Sequence, residues 1–352
     1  MHIASVASAF PKYRYKQSTL AAAFARHWGP EIAASVPLAR IHSRVGVETR
    51  HLAYPIETYE RLKTWGEAND LWIAAALDLG QKAVCRALAR ADVSRSEIGA
   101  IFFVSISGIA SPSIDARLVN LMGLSPNIKR IPIFGLGCVG GAAGIARASD
   151  YVKAYPDQVA LVLSVELCSL TIQRDDLSMA NLISTGLFGD GAAAVLVSGS
   201  NRDRHELSGP KIVETRSVFY PDSEHVMGWA VSEKGFRIVL SPEVPHVVKK
   251  FLARDVDAFL AGEGLTRADI DSWILHTGGP KVLEATAEAL ELRDGALDVS
   301  WRCLSETGNL SSASVLVVLE QFTTKHRPCE GSYSVLAAMG PGFCSELVLL
   351  RW

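Results

Sequence analysis

Apolar positions along the chain fall into two alternating patterns. Short continuous runs have the length and flanking turn residues of strands buried on both faces: HIASVAS near the start, the IFFV run within Ser94 to Ser105, Ile131 to Phe134, Leu161 to Val165, and Ala192 to Val197. Between them, Thr19 to His27, Leu71 to Ala91 and the alanine-rich stretch containing Ile145, Ala146, Tyr151 and Val152 carry apolar residues at helical spacing. Strand and helix in alternation predict an α/β fold, with sheets held between helix layers. Turn signals divide these elements. Ser111-Pro112 marks a loop, because the residue before proline is pushed out of the helical region, and Phe188-Gly189-Asp190-Gly191 marks a turn. The polar run SGSNRDRHELSGP, Ser198 to Pro210, reads as a linker between an N-terminal half, 1–208, and a C-terminal half, 209–352.

Beyond that linker the pattern starts again. LTRADIDSWILHTGG from Leu265 mirrors VSRSEIGAIFFVSIS from Val93, with His276 at the place of Val104, and GNLSSASVL from Gly308 mirrors GCVGGAAGI from Gly137. Cys138 lies 34 residues after Val104, and Asn309 lies 33 after His276. The strands LVLSV and AAAVLV have counterparts in YSVLAAM and SELVLL. Duplication of a supersecondary unit predicts two pseudo-symmetric halves, and the matched turns place Cys138 and Asn309 at related points of both. The site is expected between the halves, with His276 at a strand end beside it.

Composition bounds the function. The 352 residues are 49% hydrophobic and 20% charged, and mean hydropathy is +0.19, as in a compact protein with much buried surface. A net charge of −2 argues against nonspecific binding to nucleic acid or acidic membranes. Arg40, His42, Arg44, Arg50 and His51 form a local basic cluster able to meet phosphates. The start lacks the pattern of a signal peptide, and no run approaches a membrane span, so no stable membrane insertion is expected. Six cysteines and nine histidines show neither CxxC pairs nor metal-ligand spacing. A reduced, cytoplasmic setting without a bound metal fits them.

Cys138 sits on a glycine-flanked strand-to-helix turn. At a helix N-terminus the peptide dipoles favour the thiolate, so a lowered thiol pKa is expected there. Cysteine, histidine and asparagine converging at strand and helix ends can perform acyl chemistry: the thiolate attacks a thioester, imidazole stabilises it, and side-chain N–H groups bind an oxyanion or enolate. A papain-like thiol hydrolase uses the same three residue types, but has no use for the duplicated Gly-Cys and Gly-Asn turns.

Five segments in order, GLGCVGGAAGIARA, LFGDGAAAVLV, ILHTGGPKVLEA, SETGNLSSASVL and AMGPGFCSELVLLRW, resemble the chalcone synthase superfamily, the type III polyketide synthases. The resemblance spans nearly the whole chain. It implies a thiolase-like αβαβα fold, a homodimer, and iterative decarboxylative condensation of malonyl-CoA onto an acyl-CoA starter, with CoA thioesters as substrates and no cofactor. It makes Cys138 the nucleophile, with His276 and Asn309 as its partners, and Phe188 a gatekeeper. Gly340, Pro341, Gly342 and Ser311 would shape the cavity, and Arg44, Arg50 and Lys281 would meet CoA phosphates. Departures bear on the product. Ile238 stands for a second gatekeeper phenylalanine, and Ser105-Ile106-Ser107 replaces a Thr-Thr-Ser run. Ser111-Pro112 replaces a Met-Pro pair, Met339 an aromatic residue, and Cys168 and Thr171 match cavity positions. Small residues there imply a medium- or long-chain acyl starter and alkylpyrone or alkylresorcinol products. A malonyl-CoA-only aromatic synthase, a β-ketoacyl synthase III and a non-catalytic acyl-binding dimer are the alternatives. The β-ketoacyl synthases usually carry His-Gln-Ala-Asn where His276 is followed by Thr277-Gly278-Gly279-Pro280.

Overall fold

The computed structural model describes residues 1–202 and 209–352, with the backbone alone for 29–35. The described strands are β1 (His2–Ala9), β2 (Tyr13–Lys16), β3 (Thr49–Leu52), β4 (Ile98–Val104), β5 (Lys129–Ile133), β6 (Val159–Leu167), β7 (Asp190–Ser198), β8 (Lys211–Phe219), β9 (Met227–Ser232), β10 (Gly235–Leu240), β11 (Ile270–Leu275), β12 (Tyr333–Gly340) and β13 (Cys344–Arg351). Nine of them join in the order β11-β12-β13-β8-β1-β7-β6-β4-β5. The β1–β8 register holds a single pair, His2 with Lys211. That corner divides the nine into a five-stranded sheet, β1-β7-β6-β4-β5, and a four-stranded one, β8-β13-β12-β11.

The internal repeat is visible in the pairing. β4 runs parallel to β6, and β11 parallel to β12. β6–β7 and β12–β13 are antiparallel, as are β7–β1 and β13–β8. Even the entries match: the Glu97 carboxylate accepts from the Ser94 N–H at 2.6 Å before β4, and that of Asp269 from the Thr266 N–H at 2.8 Å before β11. Local sequence therefore sets the same start twice.

The helices Gly140–Ala154 and Ser314–Thr324 lie against each other and against strands of both sheets, forming the middle layer. They approach closely because Gly141 has no side chain: a Cβ there would fall 2.1 Å from the Ser312 carbonyl oxygen and 3.0 Å from Val315 Cγ1. Outside the first sheet, Trp65–Ala91 covers β1, β6 and β7, with Ala76, Ala83, Ala87 and Ala91 buried along its length. Outside the second, Val244–Ala261 packs on β13 and on the helix Pro280–Ala289, while Asp298–Thr307 lies against β11. The result is the expected α/β/α/β/α layering. Coverage on both faces is why every residue of β6 and β7 is buried.

Several expectations need correction. Ile131 to Phe134 was expected to be a buried strand, yet β5 is half exposed and Phe134 is 55% exposed. The reason is position, since β5 is the outermost strand and pairs only with β4; Pro132 tolerates an edge, where its missing N–H has no ladder to break. The long helix begins before Leu71, at Trp65, because Thr64 accepts from the Glu67 N–H at 3.2 Å and Glu67 returns the contact to the Thr64 N–H at 3.3 Å. The ribbons β2–β3 and β9–β10 had no sequence signal. Residues 203–208 of the expected linker lie outside the described residues. Among the described residues no helix is long and apolar enough to cross a membrane, and no cluster has the makings of a metal site.

Candidate active site

Each of the three polar residues is placed by a short, over-determined piece of backbone. After β5 the chain turns through Gly135 (φ +96°) and Gly137 (φ +53°), and Cys138 follows in a single 3-10 turn that feeds the helix at Gly140. Gly340 packs onto that turn so tightly that a Cβ would meet Val139 N at 2.7 Å and Leu136 O at 2.8 Å. Pro341 and Ile106 flank Gly137, where a Cβ would lie 2.8 Å from the proline ring and 3.8 Å from Ile106 Cδ1. His276 leaves the end of β11 with its backbone N–H donating to Ala337 O of β12 at 3.1 Å. Asn309 follows Gly308 (φ +74°) and exchanges backbone bonds with the segment before β7: its N–H donates to Leu187 O and its carbonyl accepts from the Gly189 N–H, both at 2.9 Å.

The Asn309 side chain has a fixed polarity. Its Oδ1 accepts from the Ser311 N–H at 2.7 Å and from the Ser314 hydroxyl at 3.4 Å, so the amide NH2 is the group left to face the thiol. Ser311 Oγ lies 3.9 Å from Cys138 Sγ. Cys138, His276 and Asn309 line one small cavity of about 50 Å³, whose other walls are largely apolar, among them Phe188, Met227, Leu240, Met339 and Phe343. This is the convergence expected from the repeat.

The protonation states differ from expectation. Burial pushes the Cys138 thiol up to about 12, with the Glu166 charge adding to the rise and the Ser311 and Asn309 hydrogen bonds opposing it. The helix terminus does not lower it, because the thiol is only 5% exposed and desolvation outweighs the dipole. Burial likewise pulls His276 down to about 4, and neither ring nitrogen has a hydrogen-bond partner within the chain. Taken singly, then, both groups are held neutral. A thiolate–imidazolium pair carries no net charge, so each ion offsets the desolvation of the other in the same dry cavity. The imidazole is thus available as donor or acceptor to whatever enters.

Sequence reasoning passed over Glu166, the one acidic residue in the strand VALVLSVEL. It is fully buried behind Cys138 and accepts from the Ser107 hydroxyl at 2.7 Å, the Ile106 N–H at 3.2 Å and the Ser105 hydroxyl at 3.3 Å, with Ser312 opposite. A lone carboxylate inside a largely apolar run was the available signal. The apolar walls contributed by β9, β10 and Val244–Ala261 carried none, since their residues look like any core.

Other anticipated residues are placed as follows. Phe188 lines the cavity. Cys168 and Thr171 sit in the buried turn after β6, with the Thr171 hydroxyl donating to Cys168 O at 2.8 Å, and Ile238 pairs with Trp229 in the β9–β10 ribbon; all three lie outside the Cys138 cavity. Gly342 (φ +143°) lies next to Phe219 and Cys344. The basic cluster is not one face. Arg50 is 2% exposed and His42 1%, so neither is available at the surface to a CoA phosphate. The Arg50 guanidinium instead donates to Gln17 Oε1 at 3.1 Å and to Phe188 O at 2.6 Å. Arg44 and Lys281 are exposed, and the loops carrying them meet where a Cβ on Gly46 would touch Pro280 Cγ at 3.0 Å. Lys281 directly precedes Val282, which lines the cavity.

A duplicated, five-layered fold with cysteine, histidine and asparagine around a buried apolar cavity defines a thiolase-like protein equipped for acyl chemistry. Comparison narrows the class. The family profile for chalcone and stilbene synthases, N-terminal domain, matches residues 2–201, and that for the C-terminal domain matches 211–352. A 1,3,6,8-tetrahydroxynaphthalene synthase of Streptomyces peucetius subsp. caesius is 50% identical over 350 residues, covering 99% of this chain and 93% of that protein. A phloroglucinol synthase of Pseudomonas fluorescens is 32% identical, covering 89% and 88%. The crystal structure of the 1,3,6,8-tetrahydroxynaphthalene synthase of Streptomyces coelicolor A3(2), a bacterial type III polyketide synthase, superposes with a TM-score of 0.93 at 31% identity, covering 100% of this chain and 99% of that one. The chain belongs to the chalcone and stilbene synthase family, the type III polyketide synthases, and is a transferase that condenses acyl and malonyl units carried on CoA.

Proposed function

We propose that the enzyme takes malonyl-CoA as both starter and extender and makes a compact aromatic polyketide of the tetrahydroxynaphthalene kind. The observation that carries the chemistry of this reading is the convergence of Cys138, His276 and Asn309 on one cavity with largely apolar walls. The 50% identity to a tetrahydroxynaphthalene synthase supports it. In this scheme Cys138 attacks the thioester carbonyl of malonyl-CoA after giving its proton to His276, and the departing CoA sulfur takes that proton. A second malonyl-CoA then loses carbon dioxide. Its thioester oxygen becomes an enolate held by N–H donors of His276 and Asn309, and the enolate carbon attacks the acyl group on Cys138. The new C–C bond releases the Cys138 sulfur and leaves the lengthened chain as a CoA thioester; transfer of that chain back to Cys138 expels CoA, and the cycle repeats before ring closure frees the product. Arg44 and Lys281 receive CoA phosphates, and no cofactor is needed. Two halves, 1–208 and 209–352, act as one unit in a cytoplasmic homodimer. Exposed Phe134 and Leu121 beside the open edge of β5 support the dimer.

A medium- or long-chain acyl starter with alkylpyrone or alkylresorcinol products is the second reading, favoured by the aliphatic and small residues Ile106, Cys168, Thr171 and Ile238. One experiment separates the two: mass spectrometry of products from malonyl-CoA alone and with a ladder of acyl-CoA starters, run beside Cys138→Ala. A single aromatic product independent of starter, absent in the variant, is expected. Products whose mass climbs with starter length would replace the first reading with the second.

A further inference from the structure

A second cavity, larger than the one at Cys138, lies elsewhere among the described residues. About 540 Å³ opens between the first helix (Gln17–Ser35), the segment 50–68, the turn after β6 and the tip of the β9–β10 ribbon. None of its lining residues lines the Cys138 cavity. Its volume is that of a small-molecule pocket. Leu20, Phe24, Leu52, Trp65 and Leu170 make much of the wall apolar, and Arg50 forms another part of it.

Arg50 has a donor to spare. Its Nε and Nη1 are used by Gln17 and Phe188, but Nη2 is buried with no hydrogen-bond partner. A buried charged N–H without an acceptor is costly, so the wall of the cavity lacks one oxygen. Charge decides which kind. Asp190 already stands near Arg50 as its counter-ion, and its carboxylate is itself satisfied by Ser169 N–H at 2.8 Å, Ala53 N–H at 2.6 Å and the Ser169 hydroxyl at 2.5 Å. A ligand anion at Nη2 would crowd two negative charges around one buried guanidinium. A neutral acceptor would not.

We propose that this cavity binds a neutral, largely apolar molecule bearing a carbonyl oxygen, with that oxygen accepting from Arg50 Nη2 and the body lying on the leucine and aromatic wall. Bound there, the ligand touches the side chain that holds Phe188 O, and Phe188 reaches the Cys138 cavity from the other side.

Isothermal calorimetry and tryptophan fluorescence on the whole protein test this with three matched probes: 2-acetylnaphthalene, 2-ethylnaphthalene and 2-naphthoate. The ketone should bind at least tenfold more tightly than the hydrocarbon and more tightly than the carboxylate. Its affinity should be unchanged after Cys138 is alkylated with iodoacetamide, and should fall at least tenfold in Ala23→Trp, which fills the cavity from the first helix. Ile56→Trp fills it from the opposite wall and serves if Ala23→Trp does not fold. Equal affinity for ketone and hydrocarbon, tighter binding of the carboxylate, loss of binding on alkylation, or full binding in a folded cavity-filling variant would each overturn the proposal.

Discussion

Asn309 performs two separable tasks, and replacing it by aspartate or by alanine tells them apart. Its Oδ1 satisfies the buried Ser311 N–H at 2.7 Å, while its NH2 faces the thiol. Asn309→Asp keeps an oxygen for Ser311 and Ser314 but removes the donor, and it places a second acidic group near a thiol already raised by Glu166. Losing one preorganised oxyanion donor lowers the rate by about 100- to 1,000-fold, or about 2.7–4 kcal/mol in the barrier. Asn309→Ala removes both, so the same rate loss is joined by about 1–3 kcal/mol of destabilisation from the orphaned Ser311 N–H. Release of carbon dioxide from malonyl-CoA reports the decarboxylation, and urea unfolding reports stability. Asp is expected to be slow and nearly as stable as the parent; Ala is expected to be slow and less stable. If Asn309→Asp decarboxylates malonyl-CoA within threefold of the parent, the amide is not the donor and the proposed mechanism fails.

Three further outcomes follow from the packing and the charges. Gly141→Ala drives a methyl into the Ser312 carbonyl at 2.1 Å, and since backbone cannot yield as a side chain does, a loss near the upper end of the overpacking range, about 3 kcal/mol, is expected in urea unfolding; a loss below about 0.5 kcal/mol would show the middle layer to be looser than described. His42 and His276 are held near 4 by burial, against 6.5 in the unfolded chain, so their neutral forms contribute stability above pH 6.5 that is lost as pH falls through 4. Asp190, raised by burial to about 6 from 3.8, acts oppositely, contributing stability below pH 3.8 that is lost as pH rises through 6. His276→Gln should therefore flatten the acid limb of a stability profile between pH 6.5 and 4 by about one proton, and an unchanged slope would mean that His276 is not buried neutral. Phe134→Arg places a charge on the open edge of β5, and sedimentation should show the proposed dimer of the parent giving way to monomer; a dimer unaltered in the variant would locate the interface elsewhere.

Much of the architecture was legible because it rests on local spacing. Continuous apolar runs marked β4, β6 and β7 as strands covered on both faces, and the repeat of turn, strand and glycine-led helix placed Cys138 and Asn309 in related positions with His276 at a strand end. Those features depend on which residues follow one another, and backbone geometry turns such order directly into strands, turns and helix starts. What only the tertiary structure decided depends on atoms distant in sequence. It put β5 at an edge instead of in the core and turned Arg50 inward to Phe188. It closed the Cys138 cavity with Met227, Leu240 and Phe343 from elements whose composition announced nothing. It also reversed the reading of the Cys138 thiol: a local dipole argument favoured thiolate, but burial by both halves of the chain holds the lone thiol protonated, because desolvation sums over every neighbour that excludes water and sequence order does not record those neighbours.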